Sequence, residues 1–186
     1  LDDEKTAMAL TIETIRATEG GEALVDLLSN ELQRLLPDEI QEDRDRYYIN
    51  LDSLPRGLRA MAGMHFFDVS MTMDDLAWHF GNQNDVRDLK ETLDGLRELE
   101  LPEIAEFFEQ AWKIMEPHFD ALRGPDVTSD NFYDWLEEIG AQEQIDPMND
   151  AIWDFCKKSG DLGLLASWPK YARKYPERCV VTEAQA

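Results

Sequence analysis

Apolar residues recur every three or four positions over most of this chain, and no stretch shows the period-two alternation of a half-buried strand. That pattern confines the chain to an all-α architecture, a compact multi-helix bundle of about eight helices with no significant sheet. A length of 186 residues suits one domain, expected over residues 1–178, with a flexible tail over 179–186.

The punctuation of the pattern sets the helix limits. A first helix is expected over residues 3–18 with Met8, Ile12 and Ile15 on one face, ended by Gly20-Gly21. A second runs over 22–36 on a stripe of Leu24, Leu28, Leu32 and Leu35, and Pro37 stops it. Residues 38–52, with Tyr47, Tyr48 and Ile49, carry a weaker pattern. Ser53-Leu54-Pro55 reads as a cap and first-turn proline for a helix burying Leu58, Met61 and His65.

Asp74 or Asp75 starts a short helix through Phe80, closed by Gly81-Asn82. Asn84 caps the next, whose apolar positions are Val86, Leu89, Leu93 and Leu96. Pro102 opens the longest, expected to reach Leu122. Beyond Gly124-Pro125 three shorter helices are expected, starting at Ser129 or Asp130, at Asp146-Pro147 and at Asp161. Pro169 interrupts the last of these and Pro176 ends it.

Charge is the second constraint. Forty acids against 18 bases give a net −22, far outside the magnitude of roughly 2–8 usual for a small domain. An apolar content of 43% still supplies a core, so the chain is not the weakly hydrophobic, charged kind that stays disordered. The excess argues against direct binding to nucleic acid or an anionic membrane, because displacing counterions from phosphates takes Lys and Arg. Cationic proteins are the partners that fit.

The acids are concentrated. Residues 98–154 hold sixteen acids and only Lys113 and Arg123 as bases, a net −14, whereas residues 157–186 carry a net +3. At about 100° per residue, Ile104, Phe108, Ala111, Met115, Phe119 and Leu122 share one arc of the helix opened by Pro102. Glu106, Glu109, Glu116 and Asp120 share the opposite arc, interrupted by Lys113, and Glu103 precedes them. Like charges at such spacings destabilise a helix by about 0.2–0.5 kcal/mol per pair, so the fold alone would favour interspersed Lys. Asp130, Asp134, Glu137 and Glu138 supply a second row. Phosphates along one DNA strand advance about 3.4 Å, a scale that helical carboxylates share. These nine acids are the candidate partner-binding residues.

Catalytic and metal signals are weaker. His65, His79 and His118 form neither Glu-x-x-His nor His-Glu-x-x-His, and they read as histidines packed among aromatic neighbours. Asp126 to Asn131 lacks the alternating ligands, central Gly and final Glu of a calcium loop and reads as helix capping. Nucleophile-elbow, P-loop and dinucleotide-binding motifs are absent. Trp112, Trp135, Trp153, Trp168, Phe132, Tyr133 and Phe155 read as core, with Trp112 at the edge of its helix's apolar arc. No catalytic residue, metal site or cofactor is expected.

Cys156 and Cys179 make neither a disulfide framework nor a zinc or redox motif, which fits a reducing, cytoplasmic setting. No apolar run approaches the roughly 20 residues of a membrane span. The opening Leu1-Asp2-Asp3-Glu4-Lys5 is unlike a signal peptide.

Residues 63–115 resemble a bacterial family of small acidic α-helical proteins that includes a DNA-mimic protein. In that family an aromatic-rich short helix ends in Asn, and here Leu76, Phe80 and Asn82 fit it. Leu93, Leu96 and Leu99 fit a following helix. Ile104, Ala105, Phe108 and Ala111 fit a third that opens Glu-x-Ala-x-x-Leu-x-x-Ala. Met73-Asp74-Asp75 stands where the family has Asn-Gly-Gly. The resemblance implies an all-α fold, a capacity to form homodimers and competition with DNA for a DNA-binding protein, and no catalytic residues. The leading expectation is a DNA mimic or inhibitor that occupies the basic face of a DNA-binding protein or nuclease. The alternatives are an immunity protein neutralising a cognate toxin and a metal-dependent helical enzyme built on the three histidines.

Overall fold

A computed structural model of the chain describes residues 10–181, and these are helices joined by short turns, with no strand among the described residues. The all-α expectation holds. The chain divides into two compact units, and the limits of both fall inside helical segments. Leu1–Ala62 with Leu165–Ala186 form a split unit, and Gly63–Leu164 form a central unit.

The split unit contains α1 (Ile12–Ala17), α2 (Glu22–Leu35), α3 (Asp38–Gln41), α4 (Arg44–Ser53), the start of α5 (Arg56–Met73) and the C-terminal helix introduced below. Of the helix expected over 3–18, residues 1–9 with Met8 lie outside the described residues. The remainder begins at Thr11, whose hydroxyl accepts from the Thr14 amide while the Thr14 hydroxyl accepts from the Thr11 amide. This reciprocal pair satisfies two amides that a helix start would otherwise leave without partners. Ile15, Leu24, Leu28, Leu51, Leu58 and Met61 are almost fully buried in the core of this unit. Residues 38–52 resolve into two helices, the second capped by Asp43, which accepts from the Arg46 amide at 3.2 Å.

The central unit carries the rest of α5, then α6 (Leu76–Asn82), α7 (Val86–Glu98), α8 (Pro102–Met115), α9 (Phe119–Leu122), α10 (Phe132–Glu138) and α11 (Gln142–Ser159). Helix α8 packs against α6, α7 and α11, with Ile104, Phe108, Ala111 and Met115 buried along one face. Phe108 meets Phe67 at 5.0 Å and Phe80 at 5.2 Å between ring centroids. Helix α5 approaches α7 closely at Gly63, where an added Cβ would stand 2.6 Å from the Glu91 carbonyl oxygen. Thr92 Oγ1 donates to the Gly63 carbonyl at 2.9 Å at the same crossing.

Helix α12 (Ser167–Lys174) follows a 3₁₀ segment, Gly160–Ala166, and belongs to the split unit, where it packs on α2 and α1. Arg173 there donates to the Thr18 and Gly20 carbonyls at 3.3 and 2.6 Å. Cys179, expected to begin the loose tail, is fully buried. Its sulfur lies against α5 at Gly57, where an added Cβ would come within 2.7 Å.

Several boundaries differ from expectation. The helix expected to run from Pro102 to Leu122 stops at Met115 and passes through a 3₁₀ turn, Glu116–His118, before α9. Pro117 has no amide hydrogen to continue the ladder. Asp85, not Asn84, caps α7 by accepting from the Arg87 amide. Helix α11 starts at Gln142 and carries Pro147 inside it, four residues before the expected start at Asp146-Pro147. Pro169 does not interrupt its helix, because it lies in the first turn of α12, where an amide has no intrahelical acceptor.

Candidate partner-binding surface

The central unit contains 24 acidic and seven basic residues, net −17, and the split unit 16 and eleven, net −5. All nine candidate acids belong to the central unit. Glu103, Glu106 and Glu109 lie on α8, Glu116 on the 3₁₀ turn and Asp120 on α9. Asp130 lies in the loop before α10, and Asp134, Glu137 and Glu138 lie on α10. Eight are exposed and Glu109 is half-buried. Because Pro117 breaks the helix, Glu116 and Asp120 do not continue the α8 arc. The single ladder expected from Glu106 to Asp120 is divided into two pieces.

Two of the nine have a cationic partner within the unit. Glu109 accepts from Arg97 on α7 at 2.9 Å and from Lys113 at 3.3 Å. Asp120 stands 3.6 Å from Arg123, whose guanidinium also reaches Asn84 Oδ1 and the Asn84 carbonyl and lies over the Phe119 ring. Glu106 accepts a hydrogen bond from Gln110, which leaves its charge in place. Glu103, Glu116, Asp130, Asp134, Glu137 and Glu138 pair with no Lys or Arg among the described residues.

The fold gathers Asp120, Asp134 and Glu138 around an open groove of about 480 Å³, with Asp126 as a fourth carboxylate and Trp135 in its lining. Asp126 was missed as a partner-binding candidate because the sequence offered it only as part of a loop. Asn131 organises that loop, and the capping expected of Ser129 or Asp130 does not occur. Asn131 Oδ1 accepts from the Thr128 amide at 2.7 Å and its Nδ2 donates to the Asp126 carbonyl at 2.9 Å. One turn of helix separates Asp134 from Glu138, about 6 Å along the axis. A groove walled by carboxylates beside an indole is chemically suited to a guanidinium or ammonium group.

A second acidic feature was not among the candidates. Asp75 caps α6 by accepting from the Trp78 amide at 2.7 Å. The Tyr133 hydroxyl lies 2.7 Å from Asp74 Oδ1 and 3.2 Å from Asp75 Oδ2, with its ring stacked on Trp78. Burial raises the Asp75 carboxyl above its usual range, and the charge of Asp74 adds to the effect. Burial and the two aspartates likewise push the Tyr133 phenol upward. The adjacent Asp74-Asp75 is the sequence signal for this feature, which marks a helix start and a departure from the family's Asn-Gly-Gly but does not point to Tyr133.

The histidines occupy three settings. His79 is buried against Phe67, Phe80 and Phe108, its Nδ1 3.0 Å from Ser70 Oγ, and burial lowers its pKa to about 3. His118 packs edge-on to Trp135, whereas His65, expected among the buried residues of its helix, is exposed beside Phe66 on the solvent side of α5. Among the described residues no three His, Cys, Asp or Glu side chains are grouped to hold a metal ion. Trp168 and Phe132 are core residues as expected, whereas Trp112, Trp135, Trp153 and Phe155 are half-buried and Tyr133 is exposed. No described helix is long and apolar enough to cross a membrane.

Residues 52–175 match the model of a protein family described as DMP19-like protein. The chain belongs to the DMP19-like family. The match takes in the whole central unit and more than half of the chain, well beyond the segment 63–115 on which the sequence resemblance rests. No curated protein and no solved structure matches the chain.

Proposed function

We propose that this protein is an acidic binding protein rather than an enzyme, and that its central unit occupies the basic, nucleic-acid-binding face of a partner protein as a DNA mimic. Membership of the DMP19-like family, a DNA-mimic family, supports this reading. The observation that carries it is the net −17 of the central unit, with seven of the nine candidate acids free of internal ion pairs among the described residues. Fixed carboxylates on short helices meet Arg and Lys without the reorganisation that a flexible acidic tail would need, and they steer a cationic partner during approach. The groove of Asp120, Asp126, Asp134 and Glu138 is the part of this surface that would receive an individual basic side chain.

Capture from a lysate at low salt, followed by elution along a salt gradient, isolates the partner. Replacing Glu106, Glu116 and Glu138 with Gln and Asp134 with Asn should then slow its association about tenfold at low salt and leave the helical content unchanged, and the difference should shrink as salt screens the field. Duplex DNA should compete with the wild-type protein for that partner. Unchanged association in stopped flow, or a ternary complex with DNA, would refute the proposal. Capture of one cognate toxin that DNA does not displace would point to an immunity protein.

A further inference from the structure

Three of the exposed large apolar side chains lie on one helix at i, i+3 and i+7: Phe66, Val69 and Met73 of α5, which are 42%, 38% and 82% exposed. Residues at that spacing line one face over about 10 Å, two turns of helix. Tyr133, 40% exposed, adjoins the end of the stripe through its hydrogen bond to Asp74. A contiguous apolar strip rimmed by polar groups is a feature that water penalises and a partner relieves.

Charge decides which partner. From Ala60 to Val86 the sequence contains four aspartates and neither Lys nor Arg. Asp74 and Asp75 stand at the C-terminal end of the strip, and the unit that carries it is net −17. A second copy of this chain would bring the same aspartates and the same excess against them. An anionic lipid surface would be repelled for the same reason. A DNA-like surface made only of charges would have no use for the three apolar side chains.

We infer that the Phe66–Val69–Met73 strip docks an amphipathic, basic helical segment of the partner. The segment's apolar side covers the strip, and its Lys or Arg residues meet Asp74 and Asp75. This is recognition of a helix by an apolar face with charged flanks, and two turns are enough for anchors at i, i+3, i+4 and i+7. The inference deepens the proposed function, resting on its basic partner, and adds an apolar anchor that salt does not weaken. Without such an anchor an electrostatic complex would dissociate at elevated ionic strength.

The test uses the full chain and a synthetic 18-residue Lys/Leu peptide designed as an amphipathic helix. The control is a scrambled peptide of the same composition in which Leu does not line one face. The amphipathic peptide should bind the wild-type protein at least tenfold more tightly than the scrambled one at 0.3 M salt. The exposed triple variant Phe66→Ser/Val69→Ser/Met73→Ser should abolish that preference while keeping the weak, salt-sensitive binding common to both peptides. Asp74→Asn with Asp75→Asn should instead reduce affinity only at low salt.

Equal binding of the two peptides, or a preference that survives in the triple variant, would overturn the inference and leave the DNA-competition result untouched. If sedimentation shows a wild-type dimer that the triple variant dissolves, a second copy covers the strip and the inference fails. Failure of DNA to compete for the captured partner tests the mimicry reading alone.

Discussion

Helix α5 passes close to its neighbours twice, once in each unit. In the split unit an added Cβ at Gly57 would meet Cys179 Sγ, the Arg178 carbonyl and Tyr171 at 2.7–2.8 Å. In the central unit the obstacle at Gly63 is the Glu91 backbone at 2.6 Å. The device is the same, a glycine that lets a helix approach another segment, but the surroundings differ. The split unit has 16 acids and eleven bases, so its charges are largely balanced. The central unit has 24 acids and seven bases and all three histidines. The central unit thus carries a like-charged surface that its own bases only partly offset, although its helices cross as closely as those of the split unit. Core and surface answer to different demands there.

The comparison is most sharply tested at Gly63. Gly63→Ala should destabilise the protein by about 3 kcal/mol, the upper end for overpacking, because backbone cannot rotate away. Gly57→Ala should have a smaller effect, since a thiol and a ring share the obstruction with the Arg178 carbonyl. Urea unfolding checks both, and a larger effect at Gly57 would reverse the assignment of the tighter crossing.

All three histidines lie in the central unit, and His79 is the most deeply buried of them. His79 is held neutral by burial, so its contribution to stability is present above its unfolded pKa of about 6.5 and is lost as pH falls toward about 3. Roughly 2 kcal/mol should disappear between pH 7 and pH 5 from this group alone. His79→Leu should remove that part of the pH dependence, and unchanged curvature between pH 7 and 5 would show that the ring protonates in place.

The smallest effect is expected at Glu100, the link between α7 and α8, where a non-glycine residue sits at φ 61°. The Leu101 amide bonds back to the Leu96 carbonyl at 2.9 Å, closing the end of α7. Glycine normally occupies such a position, so Glu100→Gly should stabilise the central unit by about 0.5–1 kcal/mol, readable as a rise in urea midpoint.

Much of the fold was legible because its signals are local. The stripe Ile104, Phe108, Ala111 and Met115 is buried as its spacing demands, and Pro102 opens α8 where a first-turn proline belongs. Prolines deeper in a segment were less legible. Pro117 breaks its helix, Pro147 is carried within α11 and Pro169 falls harmlessly in a first turn, and only the position of each in the ladder decides between these outcomes. The close approaches at Gly57 and Gly63 depend on partners far away in sequence and left no local mark.

The candidate surface follows the same division. That Glu103, Glu106 and the α10 acids face outward could be read from periodicity. That Arg97 on α7 reaches Glu109, that Asp126 joins the groove, and that Tyr133 bridges Asp74 and Asp75 could not, because each depends on tertiary placement.

Held between Arg97 and Lys113, Glu109 behaves like an occupied ion-exchange site. An incoming guanidinium there would release a resident side chain rather than a bound counterion. That carboxylate therefore adds little to the salt dependence of binding, and the number of ions liberated when a partner docks will fall short of the number of acids it covers.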